Sequence, residues 1–589
     1  MLSTVADYLR TYCYMVKSLG FHPALVGALR NYSLSKFRQD LVAGLVVGII
    51  ALPLAIAFAI ASGVGPAVGL TTAVVGGFLV SAFGGNTVQI GGPTGAFIVI
   101  VYNIIQMYGL TGLALATLMA GCILVLMGVF KLGTVIKFIP YPIVVGFTAG
   151  IAVTIFSTQM PDFFGLTIDE KIPSDFAGKW MVYFRNFDSV HWLTAIVGLL
   201  SLAIIIVAPK ISKRLPGSLL AIIVVTAAVW ILREYWGIGG VPTIGDRFGS
   251  ISSSLPAPHA VGFDMASVRL LFPSAFTIAM LGAIESLLSA TVADGVTGDR
   301  TCSNTELIGQ GIANITVPLF GGIPVTGAIA RTMTNITNGG RTPVAGLVHA
   351  AVLLLIFLFA MPLINLVPMS CLAAVLIMVS YNMSGWRTVK GMANNPKGDV
   401  WVLVVTFLLT VIFDLTIAIE IGMLLAVLVF LRRVTENTTI RVYGDQLDAA
   451  DFDMSQHEVL NLEPGVSVYE IDGPFFFGAA TKFDEMMRLA PHETPLVRII
   501  RMRKVPFIDS TGLHNLQLLI ESSHEEGILI VLSGVRENVR EALHKSHIDN
   551  LIPAEYVCDH ISKAVVVANA LARTVAADRA LERHALHIH

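Results

Sequence analysis

Charge is what this 589-residue chain has least of. Asp, Glu, Lys and Arg together make up 13% of it, against about 25% in an ordinary soluble protein. The shortage is uneven: between Leu41 and Phe130 there is no Asp, Glu, Lys, Arg or His at all, which excludes a solvated domain there. The charges nearly cancel, to a formal net of −2, so no basic field exists to hold nucleic acid. Cysteine is scarce as well. Cys13, Cys122, Cys302, Cys371 and Cys558 show neither metal-ligand spacing nor a disulfide framework, and no metal or cofactor is expected. No GxxxxGK[ST] loop occurs, so nothing points to a nucleotide-driven engine or to an enzyme. A cleavable signal is missing too, since the span opening at Leu41 lacks a small-residue cleavage site and is expected to stay.

What is present is hydrophobic: 55% of the residues. The reading is a polytopic α-helical membrane protein with a soluble domain behind it. A cytoplasmic N-terminal segment covers 1–40 and ends at the membrane edge with Lys36, Arg38 and Asp40; the membrane block runs 41–434; an α/β domain covers 437–580; and 581–589 is a tail. The tail's His584, His587 and His589 read as a disordered terminus rather than a metal tract. In the α/β domain, strands are expected at 467–471, 496–502 and 527–532, with helices at 481–489, 511–523, 536–545 and 561–577. Ser510, or Asp509 beside it, is placed to cap the second of these helices.

Hydropathy places spans near 41–62, 66–83, 94–106, 109–129, 139–159, 190–208 and 217–233, then near 272–293, 306–320, 327–338, 343–363, 366–382, 399–416 and 418–433. Gly44, Gly48 and Pro53 are expected to bend or open the first. Residues 160–189, with Asp162, Asp169, Glu170, Lys171, Asp175, Lys179 and Arg185, read as an exposed loop. The tally is seven plus seven, with repeats at about 41–233 and 272–433, and the third element of each is short and preceded by glycines and a proline. Paired interruptions of this kind point to the binding site of an inverted-repeat transporter. With the N-terminus inside, Lys131, Lys137, Lys210, Lys213, Arg214, Arg300, Arg341, Arg387, Lys390, Lys397, Arg432 and Arg433 fall on the cytoplasmic side. That puts the C-terminal domain in the cytoplasm.

The interruptions are Gly91-Gly-Pro-Thr-Gly-Ala96 and Phe320-Gly-Gly-Ile-Pro-Val-Thr-Gly-Ala-Ile-Ala-Arg331. Each opens a short helix whose first turn carries unsatisfied N–H groups and the positive end of the dipole. Two such ends meeting would form an anion cradle. Thr94, Gly95 and Ala96 would supply one side, and Thr326, Gly327 and Ala328 the other. The alternative is that these glycines serve close helix packing only. Arg331, one turn into the second helix, is too costly to face lipid; it reinforces the cradle or locks onto a carboxylate, unless its role is a structural salt bridge or snorkelling. Glu285, alone in the apolar stretch 279–289, is the expected partner. It would take a proton or help coordinate a cation, with Ser286 and Ser289 adding oxygens, unless the Glu–Arg pair is purely structural. Asp414 and Glu420, at the junction of the last two spans, read as structural or interfacial.

The two interruptions, together with Pro53-Leu-Ala-Ile-Ala-Phe-Ala59, Leu281-Gly-Ala-Ile-Glu-Ser-Leu-Leu288 and Glu306-Leu-Ile-Gly-Gln-Gly311, resemble the sulfate permease (SulP) family of anion transporters. The C-terminal part resembles its STAS domain. The resemblance covers about 36–575. It implies fourteen spans in core and gate subdomains, an elevator movement, a homodimer in the inner membrane, and an anion held between the third and tenth helices. The substrate would be sulfate, bicarbonate or a C4-dicarboxylate. Glu285 matches the family's helix-eight acid, whose Glu form implies proton symport; sodium-coupled bicarbonate symport, anion exchange or channel-like conduction on the same scaffold stays open. Some members use a Gln after the first-helix proline, where this chain has Leu54. Ser510 matches a serine phosphorylated in related bacterial domains. A uracil–xanthine permease, with neutral substrates, is disfavoured by Arg331.

Overall fold

A computed structural model describes residues 21–30, 32–134, 140–170, 172–173, 175–211, 216–249, 251, 253–254, 256–262, 264–413, 415–443, 446–447, 460–478 and 495–586. The first twenty residues of the N-terminal segment, the expected helix at 481–489, Lys137, Lys171, Lys213, Arg214, Asp414, His587 and His589 lie outside them. The chain divides into two compact units, Met1–Ala426 and Val427–His589.

The first membrane helix starts earlier than hydropathy indicates. The Ser33 hydroxyl accepts the Lys36 N–H at 3.3 Å, so α1 (Leu34–Ala61) already contains Lys36, Arg38 and Asp40. Asp40 is affordable there because it is fully buried among donors: Arg341 N–H at 3.0 Å, Thr342 N–H at 3.2 Å, the Thr342 hydroxyl at 2.5 Å and Tyr32 OH at 3.0 Å. Gly44 and Gly48 do not open this helix. A Cβ on either would strike the helix at Val344–Phe359, at Val348 (2.7 Å) and Val352 (2.8 Å) respectively, so they serve close packing.

The chain continues through α2 (Pro66–Phe83), a two-residue strand β1 (Gly91–Gly92) and α3 (Ile98–Val129), which turns at Gly109 (φ 69°) and so makes two segments. Then come α4 (Tyr141–Thr158), α5 (Trp192–Ile211) and α6 (Gly217–Tyr235). The second half runs α7 (Met265–Thr297), α8 (Ser303–Thr316), strand β2 (Thr326–Gly327), the short α9 (Ile329–Thr337), α10 (Val344–Phe359), α11 (Met369–Met383), α12 (Lys397–Ile412) and α13 (Leu415–Asn437). Seven segments fall in each half, as hydropathy indicates. Eight helices among the described residues are long and apolar enough to cross a membrane. One bundle packs α1, α2 and α10 together, α8 on α2 and α3, and α7 on α3 and α9. A second packs α4 on α11 and α12, and α5 on α6 and α11.

The connection 160–189 is not simply an exposed loop. It folds into short helices at Met160–Phe164 and Phe176–Arg185. Lys179 on the second is only 4% exposed, its amine 5.5 Å from the centroid of the Tyr102 ring. Burial pushes that amine below its ordinary pKa.

The second unit is an α/β sandwich. Strands β3 (Thr439–Tyr443), β4 (Val466–Asp472), β5 (Val497–Lys504), β6 (Leu529–Ser533) and β7 (Val557–Cys558) form one sheet in that order, the first pair antiparallel and the rest parallel. Helix α14 (Ser510–Glu525) is capped by Asp509, whose carboxylate accepts the Gly512 N–H at 2.8 Å. Ser510 is therefore the exposed first helical residue and not the cap. Helix α15 (Glu537–Lys545) follows, and α16 (Ile561–Leu586) runs through His584 where a disordered tail was expected.

Candidate functional site

The two glycine–proline interruptions meet in space. Gly91 lies opposite Gly327 and Gly92 opposite Thr326 in the antiparallel β1–β2 pair, and the Ala328 N–H donates to the Ile90 carbonyl at 2.9 Å. Each strand leads into a helix, the first through a 3-10 turn at Gly95–Phe97, so two helix N-termini lie at one crossing. Beside it, between the two bundles, opens a cavity of about 1050 Å³ whose wall includes Thr94, Gly95, Ala96, Glu285, Ala328 and Arg331.

The two sides of the crossing are not equivalent. On the first, the Thr94 hydroxyl is buried and has no hydrogen-bond partner among the described residues. On the second, Thr326 and Gly327 lie behind the cavity wall with their polar groups taken. The Thr326 hydroxyl donates to the Gly282 carbonyl at 3.0 Å and lies 2.5 Å from the Ser286 hydroxyl, which also accepts the Gly327 N–H at 3.1 Å. Ser289 donates to Thr332 Oγ1 at 3.2 Å. Ser286 and Ser289 therefore brace α7 against β2 and α9; they do not reach the cavity beside Glu285. On this side the free backbone donors are the first-turn amides of α9, at Ile329, Ala330 and Arg331, which have no intrahelical acceptor.

Arg331 does not pair with Glu285; no ion pair joins them. Its Nη2 donates to the Pro93 carbonyl at 2.8 Å, across the crossing. The residue is 3% exposed, and Nη1 has no acceptor among the described residues. The bond to Pro93 explains Gly92, because a Cβ there would collide with Nη1. Glu285 reaches the cavity from α7 with no hydrogen-bond partner among the described residues, so it is not spent on structure. Glu420 is exposed.

Sequence reasoning passed over the group that holds the crossing. Glu306 on α8 is fully buried and accepts the N–H groups of Gly85 (2.8 Å) and Asn86 (3.2 Å) and the amides of Gln89 (2.8 Å) and Gln310 (2.9 Å). The Gln89 side chain lies where a Cβ on Gly327 would sit, so the carboxylate fixes the packing beneath β2. The signal was there to read: an acid in an apolar span, four residues from Gln310, in a chain that also has a polar loop at 84–93. Glu306→Ala strands four donors, and leaving such groups unpaired costs roughly 3–5 kcal/mol. The variant is expected to melt well below wild type in detergent, with Glu306→Gln in between; an unchanged melting curve would show that the network does not hold the crossing.

Comparison with known proteins agrees with this architecture. A profile described as the sulfate permease family matches residues 37–406, and a STAS domain profile matches residues 459–565. YvdB of Bacillus subtilis, named for sulfate transport, is 41% identical over 538 residues, covering 91% of this chain and 98% of its own. The solved transmembrane domain of a cyanobacterial bicarbonate transporter, BicA, is 29% identical with a TM-score of 0.58, over 67% of this chain and 98% of that one. Murine Slc26a9, solved in the inward-facing state, shares the fold at a TM-score of 0.82 and 18% identity, over 94% of this chain and 95% of that one. A multi-pass helical membrane unit with paired helix N-termini, followed by a STAS domain, places the chain in the sulfate permease family.

Proposed function

We propose that this protein is a secondary active transporter of small anions, with the anion held between the first turns of α3 and α9. One observation carries the reading. Arg331 is a buried cation whose Nη1 has no acceptor and which pairs with no carboxylate among the described residues, at the wall of a cavity. An unpaired charge in such a place is expensive, and a bound anion is the missing counter-charge. Thr94 and the first-turn residues Gly95, Ala96 and Ile329 to Arg331 line the same cavity, and their hydroxyl and amide groups are suited to an anion there. Relatives named for sulfate and bicarbonate transport support the class of substrate.

Glu285 is the coupling residue in this proposal, and the proton is the coupling ion. Sodium needs several oxygen ligands, yet Ser286 and Ser289 are already engaged away from the cavity. The bundle of α1–α3 and α7–α10 carries the site as an elevator against the bundle of α4–α6, α11 and α12, which a cavity between the two bundles supports. We place the protein in the inner membrane as a homodimer, with its N-terminus and STAS domain cytoplasmic and Lys131, Lys210, Arg300, Arg341 and Arg387 inside. The STAS domain has a regulatory role, with Ser510 exposed for modification.

Counterflow in proteoliposomes tests the core of the reading. Vesicles loaded with one unlabelled anion should accumulate its labelled form, and Arg331→Ala vesicles should not. Equal accumulation in empty vesicles, or flux that tracks membrane voltage without counterflow, would replace the transporter with a leak or a channel.

A further inference from the structure

We propose that the preferred substrates are monoanions with a hydrocarbon body, such as aliphatic or aromatic monocarboxylates, rather than the divalent sulfate ion. This rests on the cavity being the anion site, and two independent features carry it. The first is charge. Among the described residues, Arg331 is the only basic one at the cavity wall and Glu285 the only acidic one. With Glu285 protonated, a monoanion neutralises Arg331; a dianion leaves one negative charge buried without a partner, which is costly in an apolar site. With Glu285 ionised the mismatch for a dianion is greater still.

The second is the wall. A cavity of about 1050 Å³ is far larger than one tetrahedral oxyanion and slightly exceeds the usual range of organic-ligand sites, roughly 300–1,000 Å³. Away from the crossing its surface is largely hydrocarbon: Leu54, Phe58, Ile205, Val375, Met378 and Met383 all line it. These side chains begin right at the cradle. A Cβ on Gly95 would lie 2.9 Å from Met383 Sδ and 3.5 Å from Phe58 Cε1. An anionic head on the Gly95 amide and Arg331 therefore has apolar atoms as its next neighbours. Such atoms return nothing to an ion stripped of water, but they bury a methylene chain favourably.

Calorimetric titration of the full-length protein in nanodiscs with acetate, butanoate, hexanoate, benzoate and sulfate tests this. Affinity is expected to rise about fourfold per added methylene (~0.8 kcal/mol each), and hexanoate and benzoate should outcompete sulfate at least tenfold. Arg331→Ala should weaken the binding of every acid about a hundredfold, which separates the site from partition into lipid. Leu54→Gln, which puts an amide into the hydrocarbon wall, should flatten the chain-length series and improve sulfate. Arg331-dependent sulfate binding with a flat carboxylate series would overturn this proposal and leave the anion site standing. Acid binding that is not weakened in Arg331→Ala, or no binding of any of the five anions, would overturn both.

Discussion

Glu285→Gln should abolish uptake driven by a pH gradient while leaving anion binding within a few-fold of wild type. The side chain stands at the cavity wall without a hydrogen-bond or ion-pair partner among the described residues, so no folded contact depends on its charge. The substitution keeps shape and polarity but fixes the charge at zero. If translocation of the loaded site requires Glu285 to be protonated, Gln mimics the loaded form permanently. Anion then binds and exchanges, but no proton is carried with it. Counterflow should persist at a rate near that of wild type, while accumulation against a concentration gradient, with the outside acidic, should fall by at least about two orders of magnitude. Wild-type accumulation in Glu285→Gln would remove the residue from coupling. Loss of counterflow along with accumulation would make it part of the anion site.

The coupling argument depends on charge balance at the site rather than on direct contact. Arg331 and Glu285 line one cavity without pairing, so the substrate, not a permanent internal bridge, decides the local charge. A Glu285–Arg331 ion pair would have neutralised the site in the absence of substrate and left little drive for an anion to enter. Donation to the Pro93 carbonyl orients the guanidinium while leaving its charge uncompensated. That arrangement is costly for stability and useful for binding.

Much of this was legible in the chain. Fourteen segments follow from the length and spacing of the apolar runs, and the crossing follows from two interruptions that repeat Pro-Thr-Gly-Ala with one residue inserted in the second. Partners were harder. Arg331 and Glu285 are the charges that stand out near the interruptions, and pairing them is the simplest guess from a linear string. The observed acceptor is a backbone carbonyl, which every residue carries and no sequence pattern distinguishes. The asymmetry of the cradle was hidden for a similar reason: Thr94 and Thr326 hold equivalent places in their motifs, yet only Thr326 has a serine from α7 within reach. In the STAS domain, strand β3 escaped notice because it lies at the sheet edge and its residues Thr439 and Arg441 are exposed, so no buried run announces it. The start of α1 was placed at Leu41 because Asp40 looks like a membrane-edge charge, whereas tertiary donors from Arg341 and Thr342 bury it.

Arg331→Ala should weaken anion binding about a hundredfold. The unpartnered Nη1 of the buried guanidinium can give a carboxylate or an oxyanion a charge-assisted hydrogen bond, and truncating such a partner costs roughly 2–3 kcal/mol or more. Losing the Pro93 bond adds a structural effect, which a second variant separates. Arg331→Lys keeps the charge but lacks the planar fork, so one ammonium cannot hold Pro93 and meet the anion in the same geometry. It should recover only part of the affinity. Gly92→Ala approaches the same group from the other side: the added methyl occupies the place of Nη1, displaces the guanidinium without removing its charge, and should weaken binding nearly as much. Titration calorimetry on the three variants, with melting temperatures measured alongside, decides the matter. Affinity that falls in the order wild type, Arg331→Lys, Arg331→Ala, with melting temperatures close together, assigns the residue to the anion. Unchanged affinity with a large drop in melting temperature would make Arg331 a structural clamp across the crossing and would move the anion site away from it.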